Sequence, residues 1–182
     1  MAWSEYWNSS INVNNKILGQ WSEYYYRSLT KLNKLSLDDN VLDYGAGTGV
    51  ISGLISSQVK TVLAYDNSEV MNNICVENMI KYKNVFCLSK LNNNKEITFI
   101  LINSVLQYIN SEELEVLLEF ASKKTSATRM IISDIVPEDY NPYVDAVNNL
   151  YYSLKNHFLF AYLFFLIKEF IIRLVPNKTF VW

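Results

Sequence analysis

VLDYGAGTGV, residues Val41 to Val50, opens as an apolar run and turns into three glycines within five positions. The chain has 182 residues and only five glycines, of which Gly45, Gly47 and Gly49 are three. An apolar strand ending in Asp43, a glycine turn, and the helical pattern TGVISGLISSQ make a strand–turn–helix unit. Glycines in such a turn permit positive φ and let a ligand approach the backbone with no Cβ in the way. The N–H groups that open the following helix can receive polar or anionic atoms. The next apolar run, KTVLAYD, closes on a second acid, Asp66, about 20 residues on, where a carboxylate can accept both hydroxyls of a ribose.

Working outward, the same alternation continues. SEVMNNICVENMIKY reads as a helix with Ser68 as N-cap and Met71 as its N3 residue. NVFCLS is a third strand and LNNNKE a polar loop. ITFILINSV is a fourth strand, apolar enough to be buried on both faces. SEELEVLLEFASKKT is a helix, with Ser111 read as its cap and acids in its first turn. ATRMIISDIVP is a fifth strand, stopped by Pro137. Before the glycine unit, Ile17 to Leu32 carries apolar residues at helical spacing. Alternating strands and helices predict a parallel α/β sheet with helices on both faces.

The glycine spacing separates two ligand classes. A dinucleotide site wants G-x-G-x-x-G, so that a diphosphate reaches the helix N-terminus, and the third glycine would fall at Val50. That speaks against a nicotinamide dehydrogenase. The pattern is instead D-x-G-x-G-x-G. An acid two positions before the first glycine suits a ligand with a positive charge, such as an α-amino group.

On these residues the chain resembles the class I S-adenosylmethionine-dependent methyltransferases. The matching segments are VLDYGAGTG, LAYDNSEVM, ITFILINSVLQYI and MIISDIVPEDY, across roughly residues 37–140, and NSVLQYI with SDIVPEDY resembles the small-molecule branch. The resemblance implies a Rossmann-like sheet of order 3-2-1-4-5 and S-adenosylmethionine as cofactor. It implies that Asp43 and the turn Gly45, Ala46, Gly47 and Gly49 hold the methionine end. Asp66 would hold the ribose, with Asn67 or Ser68 beside the adenine. Asn103 and Ser104 would line the site beside the methyl group, and Gln107 and Tyr108 would lie near the substrate. Relatives often carry an acid after the third strand, where this chain offers Ser89 or Asn92. The family sheet usually continues with two antiparallel strands. After Pro137 the sequence shows one long apolar helical region and then PNKTFVW, so that hairpin reads as absent or truncated, and the tail or a second subunit would cover the sheet edge.

The remaining features bound the function. Half of the residues are hydrophobic, 19% are charged and the net charge is −2, which describes a globular chain with no strong nucleic-acid signal. Cys75 and Cys87 read as reduced core thiols. With His157 the lone histidine, no metal site is expected. The N-terminus lacks a signal-peptide pattern, and a cytoplasmic location is expected. The chain reads as a single methyltransferase-like domain over 1–182, with a helical cap (1–36), a cofactor-binding core (37–137) and an apolar helical tail (138–182). The uncharged run His157–Ile167 is too short for a membrane span of ~20 residues. The tail is read first as a helix packed on the domain, then as a lid or substrate wall, and last as an interfacial membrane helix. A homodimer through it is also open. Trp3 reads as core, and Tyr6 and Trp7 as a flap over the cofactor, where aromatic faces suit a cation. Asp134, Tyr108 and His157 are the candidates for a base. The expected reaction is direct methyl transfer to an O or N of a small, partly hydrophobic molecule. A non-catalytic binding or regulatory module acting through its tail is the alternative.

Overall fold

A computed structural model of the chain describes residues 15–32, 35–91, 96–123, 129–135 and 141–174. Its elements run α1 (Asn15–Leu32), β1 (Asn40–Tyr44), α2 (Val50–Ile55), β2 (Thr61–Tyr65), α3 (Glu69–Met79), β3 (Val85–Leu88), β4 (Phe99–Asn103), α4 (Ser111–Ser122), β5 (Arg129–Ser133), α5 (Pro142–Lys155) and α6 (Leu159–Leu174). Single 3-10 turns follow α2, at Ser56–Gln58, and β4, at Leu106–Tyr108. The described residues cluster into two compact units. One is built from residues 22–135, the other from 15–21 with 141–174.

The first unit holds a five-stranded sheet of order β3-β2-β1-β4-β5, parallel at every pairing. This is the expected order, and its reason is visible in burial. Alternate side chains leave opposite faces of a strand. Val41, Val62, Ala64, Phe99 and Leu101 pack on one face with Leu29 of α1, Ile55 of α2, and Cys75 and Met79 of α3. Leu42, Leu63, Ile100 and Ile102 pack on the other with Ile97, Val105 and Leu117 of α4. Both faces are dry, which is why these strands read as continuous apolar runs rather than alternating ones. Each fully buried aliphatic side chain adds about 1.5–3 kcal/mol. Among the described residues the sheet ends at β5, and helices follow it.

Polar chemistry fixes the amino ends of the strands. Asp39 is buried just before β1. It accepts from Arg129 Nη2 at 2.7 Å, from the Ser36 N–H at 2.8 Å and from Thr98 Oγ1 at 2.9 Å. Burial opposes its ionisation, but these donors outweigh burial and hold its carboxyl below the ordinary value.

Helix caps follow the sequence reading with one shift. Ser68 Oγ accepts from the Met71 N–H at 3.2 Å, as expected. At α4 the cap is Asn110 rather than Ser111. Asn110 Oδ1 accepts from the Glu113 N–H at 2.9 Å while Glu113 Oε2 accepts from the Asn110 N–H at 3.0 Å. Only that position has an acid three residues on to complete a capping box.

In the second unit the tail is two helices, not the single helical region expected. The chain turns at Asn156, His157 and Phe158. His157 has φ 62°, and its N–H donates to the Leu154 carbonyl at 3.4 Å while the Phe158 N–H donates to the Ser153 carbonyl at 3.0 Å. This is a Schellman termination with a histidine in the left-handed position. Phe158 packs edge-on against Tyr152, ring centroids 5.7 Å apart. Tyr162 is buried and its ring lies 6.5 Å from that of Trp21. Tyr143, Val147, Tyr151, Phe160 and Phe164 are exposed. No described helix is long and apolar enough to cross a membrane.

Candidate functional site

The site lies at the carboxyl edge of the sheet, where β1 passes to β2 on one side and β4 on the other. In open α/β sheets this switch in strand order leaves a crevice. The glycine turn sits at that edge. The Gly45 and Ala46 N–H groups both donate to the Tyr65 carbonyl, at 2.7 and 2.9 Å, which pins the turn to the end of β2. Gly45 has φ 77°, and a Cβ there would lie 2.3 Å from Val105 Cγ2. Gly47 also has positive φ, 55°, but a Cβ there would meet nothing within 4 Å. Gly45 is thus required by packing, whereas Gly47 borders open space that a ligand can enter. Gly49 caps α2 with a left-handed backbone.

Two carboxylates face this turn. Asp43, at the end of β1, is fully buried and accepts from Ser52 Oγ of α2 at 2.6 Å. Burial pushes its pKa up to about 6. The Ser52 hydroxyl opposes that rise, and the charge of Asp66 adds to it. Asp66 follows β2 and accepts from the Gly47 and Ser68 N–H groups, each at 2.8 Å. Burial raises its pKa too, against those two donors. Among the described residues neither acid has an ion-pair partner. A buried acid and a half-buried one beside an open glycine, with no cation among the described residues to balance them, fit a ligand that brings its own positive charge. The residues therefore suit S-adenosylmethionine better than a dianionic diphosphate.

Further along the edge, beyond β4 and β5, the backbone is strained. Ser104 and Asp134 have φ 57° and 56°, uncommon for residues with a side chain. They meet: Ser104 Oγ donates to Asp134 Oδ2. Asn103 Nδ2 donates to Ser104 Oγ at 3.2 Å, and Gln107 Nε2 to the Ser104 carbonyl at 3.0 Å. Gln107 Oε1 is buried and lacks a hydrogen-bond partner, an unmet acceptor of the kind a substrate can satisfy.

The residues named from sequence fall out as follows. Asp43, Gly45, Ala46, Gly47, Gly49, Asp66 and Ser68 gather around the glycine turn, with Ser68 also capping α3. Asn67 is exposed beside them. Asn103 closes β4, Ser104, Gln107 and Tyr108 follow it on the same edge, and Asp134 joins them from just past β5. His157 belongs to the helix turn of the second unit. Tyr6 and Trp7, like Trp3 and Asn92, lie outside the described residues. Among the described residues no group of three or more histidines, cysteines or acids could hold a metal. Cys75 and Cys87 are free thiols with their sulfurs 2.8 Å apart. The sequence reading missed Ser52, the partner of Asp43, and Tyr25 of α1, whose hydroxyl lies 2.6 Å from Ser133 Oγ.

No protein-family model matches the chain. A probable cobalt-precorrin-6B C(15)-methyltransferase (decarboxylating) of Methanococcus maripaludis strain C7 is 31% identical over 127 residues, covering 70% of this chain and 69% of the relative. The chain belongs to the class I S-adenosylmethionine-dependent methyltransferases. Solved structures agree on the fold. A precorrin 8W decarboxylase of Methanobacterium thermoautotrophicum superposes with a TM-score of 0.52 at 18% identity, over 70% of this chain and 69% of that one. A magnesium protoporphyrin IX methyltransferase of Synechocystis PCC 6803 with bound SAH gives 0.51 at 17% identity, over 72% and 62%. The protein is thus a methyltransferase that uses S-adenosylmethionine, and the non-catalytic alternative is not favoured.

Proposed function

We propose that the carboxyl edge of the first unit is the S-adenosylmethionine site and that the methyl acceptor is a small, partly hydrophobic molecule of tetrapyrrole type. The observation that carries the cofactor site is the pair of acids, buried Asp43 and half-buried Asp66, with no cation to pair them among the described residues, beside a glycine turn that is open at Gly47. The acceptor class rests on the relative's name, which specifies a precorrin and a carbon, C(15). A carbon is therefore the first acceptor atom to test, ahead of the O or N expected from sequence.

In this reading Asp43 attracts the positive methionine end, the turn Gly45–Gly49 gives it backbone room, and Asp66 takes the ribose. Asn67 or Ser68 lies beside the adenine. When bound, the cofactor supplies a methyl group on a positively charged sulfur, already activated for transfer. What remains for the protein is to orient the acceptor and exclude water. Asn103 and Ser104 line that side, Gln107 and Tyr108 meet the acceptor, and Asp134 is the base candidate best placed among them. Residues 37–137 form the cofactor-binding core of this arrangement.

The test is calorimetric titration with S-adenosylmethionine, followed by transfer of an isotopically labelled methyl group to a cobalt-precorrin. Asp43→Asn keeps the side-chain shape and removes the charge. It should weaken cofactor binding about tenfold or more without lowering the melting temperature. Unchanged affinity in that variant overturns the cofactor site. Failure to label any tetrapyrrole while binding is intact overturns the acceptor class.

A further inference from the structure

Tyr25 is absent from every motif that points to the site, yet its hydroxyl reaches it. It stands on α1 and meets Ser133, the last residue of β5, at 2.6 Å. From there hydrogen bonds run along the carboxyl edge. Ser133 Oγ lies 3.1 Å from Asn103 Oδ1, Asn103 Nδ2 lies 3.2 Å from Ser104 Oγ, and Ser104 Oγ meets Asp134.

Proton counting fixes the direction of this chain. An ionised carboxylate only accepts, so Ser104 spends its one proton on Asp134. Asn103 must then donate its amide N–H to Ser104, which turns its carbonyl oxygen toward Ser133. Ser133 donates its own proton to that carbonyl. The remaining hydroxyl, Tyr25, is therefore the donor to Ser133. With its proton committed, the phenol oxygen keeps only lone pairs, and it accepts no hydrogen bond from the described residues. Donating into a chain that ends on a carboxylate strengthens an oxygen as an acceptor.

The surroundings of that oxygen are anionic. Burial pushes the Tyr25 phenol up, the Ser133 hydroxyl opposes this, and the charges of Asp43 and Asp134 push it further. Strand order gives the position. Asp66, Asp43, Asn103 and Ser133 lie at or just past the carboxyl ends of β2, β1, β4 and β5, which are neighbours in that sequence along the edge. If Asp66 takes the ribose, Tyr25 stands on the far side of Asp43, toward the end where the methyl group meets its acceptor.

We propose that the Tyr25 phenol oxygen, oriented by Ser133, recognises the positive sulfur of the methyl donor and makes the site favour the sulfonium over the neutral thioether left after transfer. This rests on the cofactor site proposed above. Both forms of the cofactor carry the same amino acid and nucleoside, so their ratio of affinities isolates the sulfur.

The experiment titrates the full chain and its Tyr25→Phe variant with S-adenosylmethionine and with S-adenosylhomocysteine. The variant should lose about fivefold in affinity for the sulfonium form and less than about twofold for the thioether. Equal losses, or none, overturn the proposal, because a structural role or a contact to the shared amino group would not move the ratio. Ser133→Ala leaves the tyrosine in place but removes its anchor, and should shift the ratio the same way. If Tyr25→Phe does not fold, an unchanged ratio in Ser133→Ala overturns the proposal by itself. Failure of the unaltered protein to bind either compound is a different outcome, and it removes the cofactor site itself.

Discussion

Gly45 and Gly47 are alike in sequence, and the structure separates them. A methyl group at Gly45 would lie 2.3 Å from Val105 Cγ2 on a backbone at φ 77°. Gly45→Ala should lower stability by roughly 2–4 kcal/mol, combining left-handed strain with a forced shift in the core. Gly47→Ala has the strain without the collision and should lose only about 1–2 kcal/mol, yet its methyl enters the space left for a ligand. Urea unfolding and cofactor titration should therefore rank the two variants oppositely, with Gly45→Ala worse in stability and Gly47→Ala more severe in affinity per unit of stability lost. Equal effects of both variants on both measurements would contradict this division. The acids and glycines were legible because their spacing is local, within one strand–turn–helix unit and the acid that follows. Ser52 sits nine positions from Asp43 on a helix whose turn brings it back, and Tyr25 is 108 positions from Ser133. Contacts of that range leave no periodic signal in a single sequence.

At the scale of elements, the central strands β1, β2 and β4 were readable because burial on both faces makes each an apolar run bounded by polar loops, and the edge strands β3 and β5, where Phe86 and Ile132 are exposed, because they fall in turn in the same strand–helix alternation. The tail was misread because its break carries no glycine or proline. His157 takes the left-handed position that glycine usually fills, so the pattern looks continuous through the turn. Because His157 is exposed and its conformation is set by the helix end, His157→Gly should raise stability by about 0.5–1 kcal/mol. His157→Val should lower it, since a β-branched residue resists positive φ. Both variants should keep the affinity of the parent for S-adenosylmethionine and its rate of methyl transfer. Thermal unfolding and a labelled-methyl assay check this together. A large loss of rate in His157→Gly with stability intact would favour the histidine as the base. The cap at α4 teaches the same lesson on a smaller scale, because Ser111 and Asn110 are both good caps and only the acid at Glu113 distinguishes them.

For the molecule as a whole, two buried acids pull stability in opposite directions with pH. Asp39 is held below its ordinary value by Arg129, Ser36 and Thr98 against burial. Its contribution is present above the unfolded carboxyl pKa and is lost as pH falls below it. Asp43 has the reverse sign. Its pKa rises from 3.8 to about 6, so the folded state holds a proton that the unfolded chain has released. Stability then declines as pH rises through that window, by about 3 kcal/mol in total. Asp66 is raised as well and adds in the same sense. The ligand-free protein should therefore be most stable near the lower end of this window, about pH 4–5, rather than near neutrality. A bound cation reverses the Asp43 effect, because it favours the ionised carboxylate. Cofactor affinity should rise with pH through about 6, binding there should release a proton, and the stability optimum of the complex should move toward neutrality. Melting temperatures from pH 4 to 8, with and without S-adenosylmethionine, test the shift. Titration in buffers of different ionisation enthalpy counts the proton. Asp43→Asn should flatten the decline of the ligand-free protein and abolish most of the proton release. If the ligand-free protein instead gains stability from pH 4.5 to 7, and the variant follows the same curve, Asp43 is not the uncompensated charge that its burial implies.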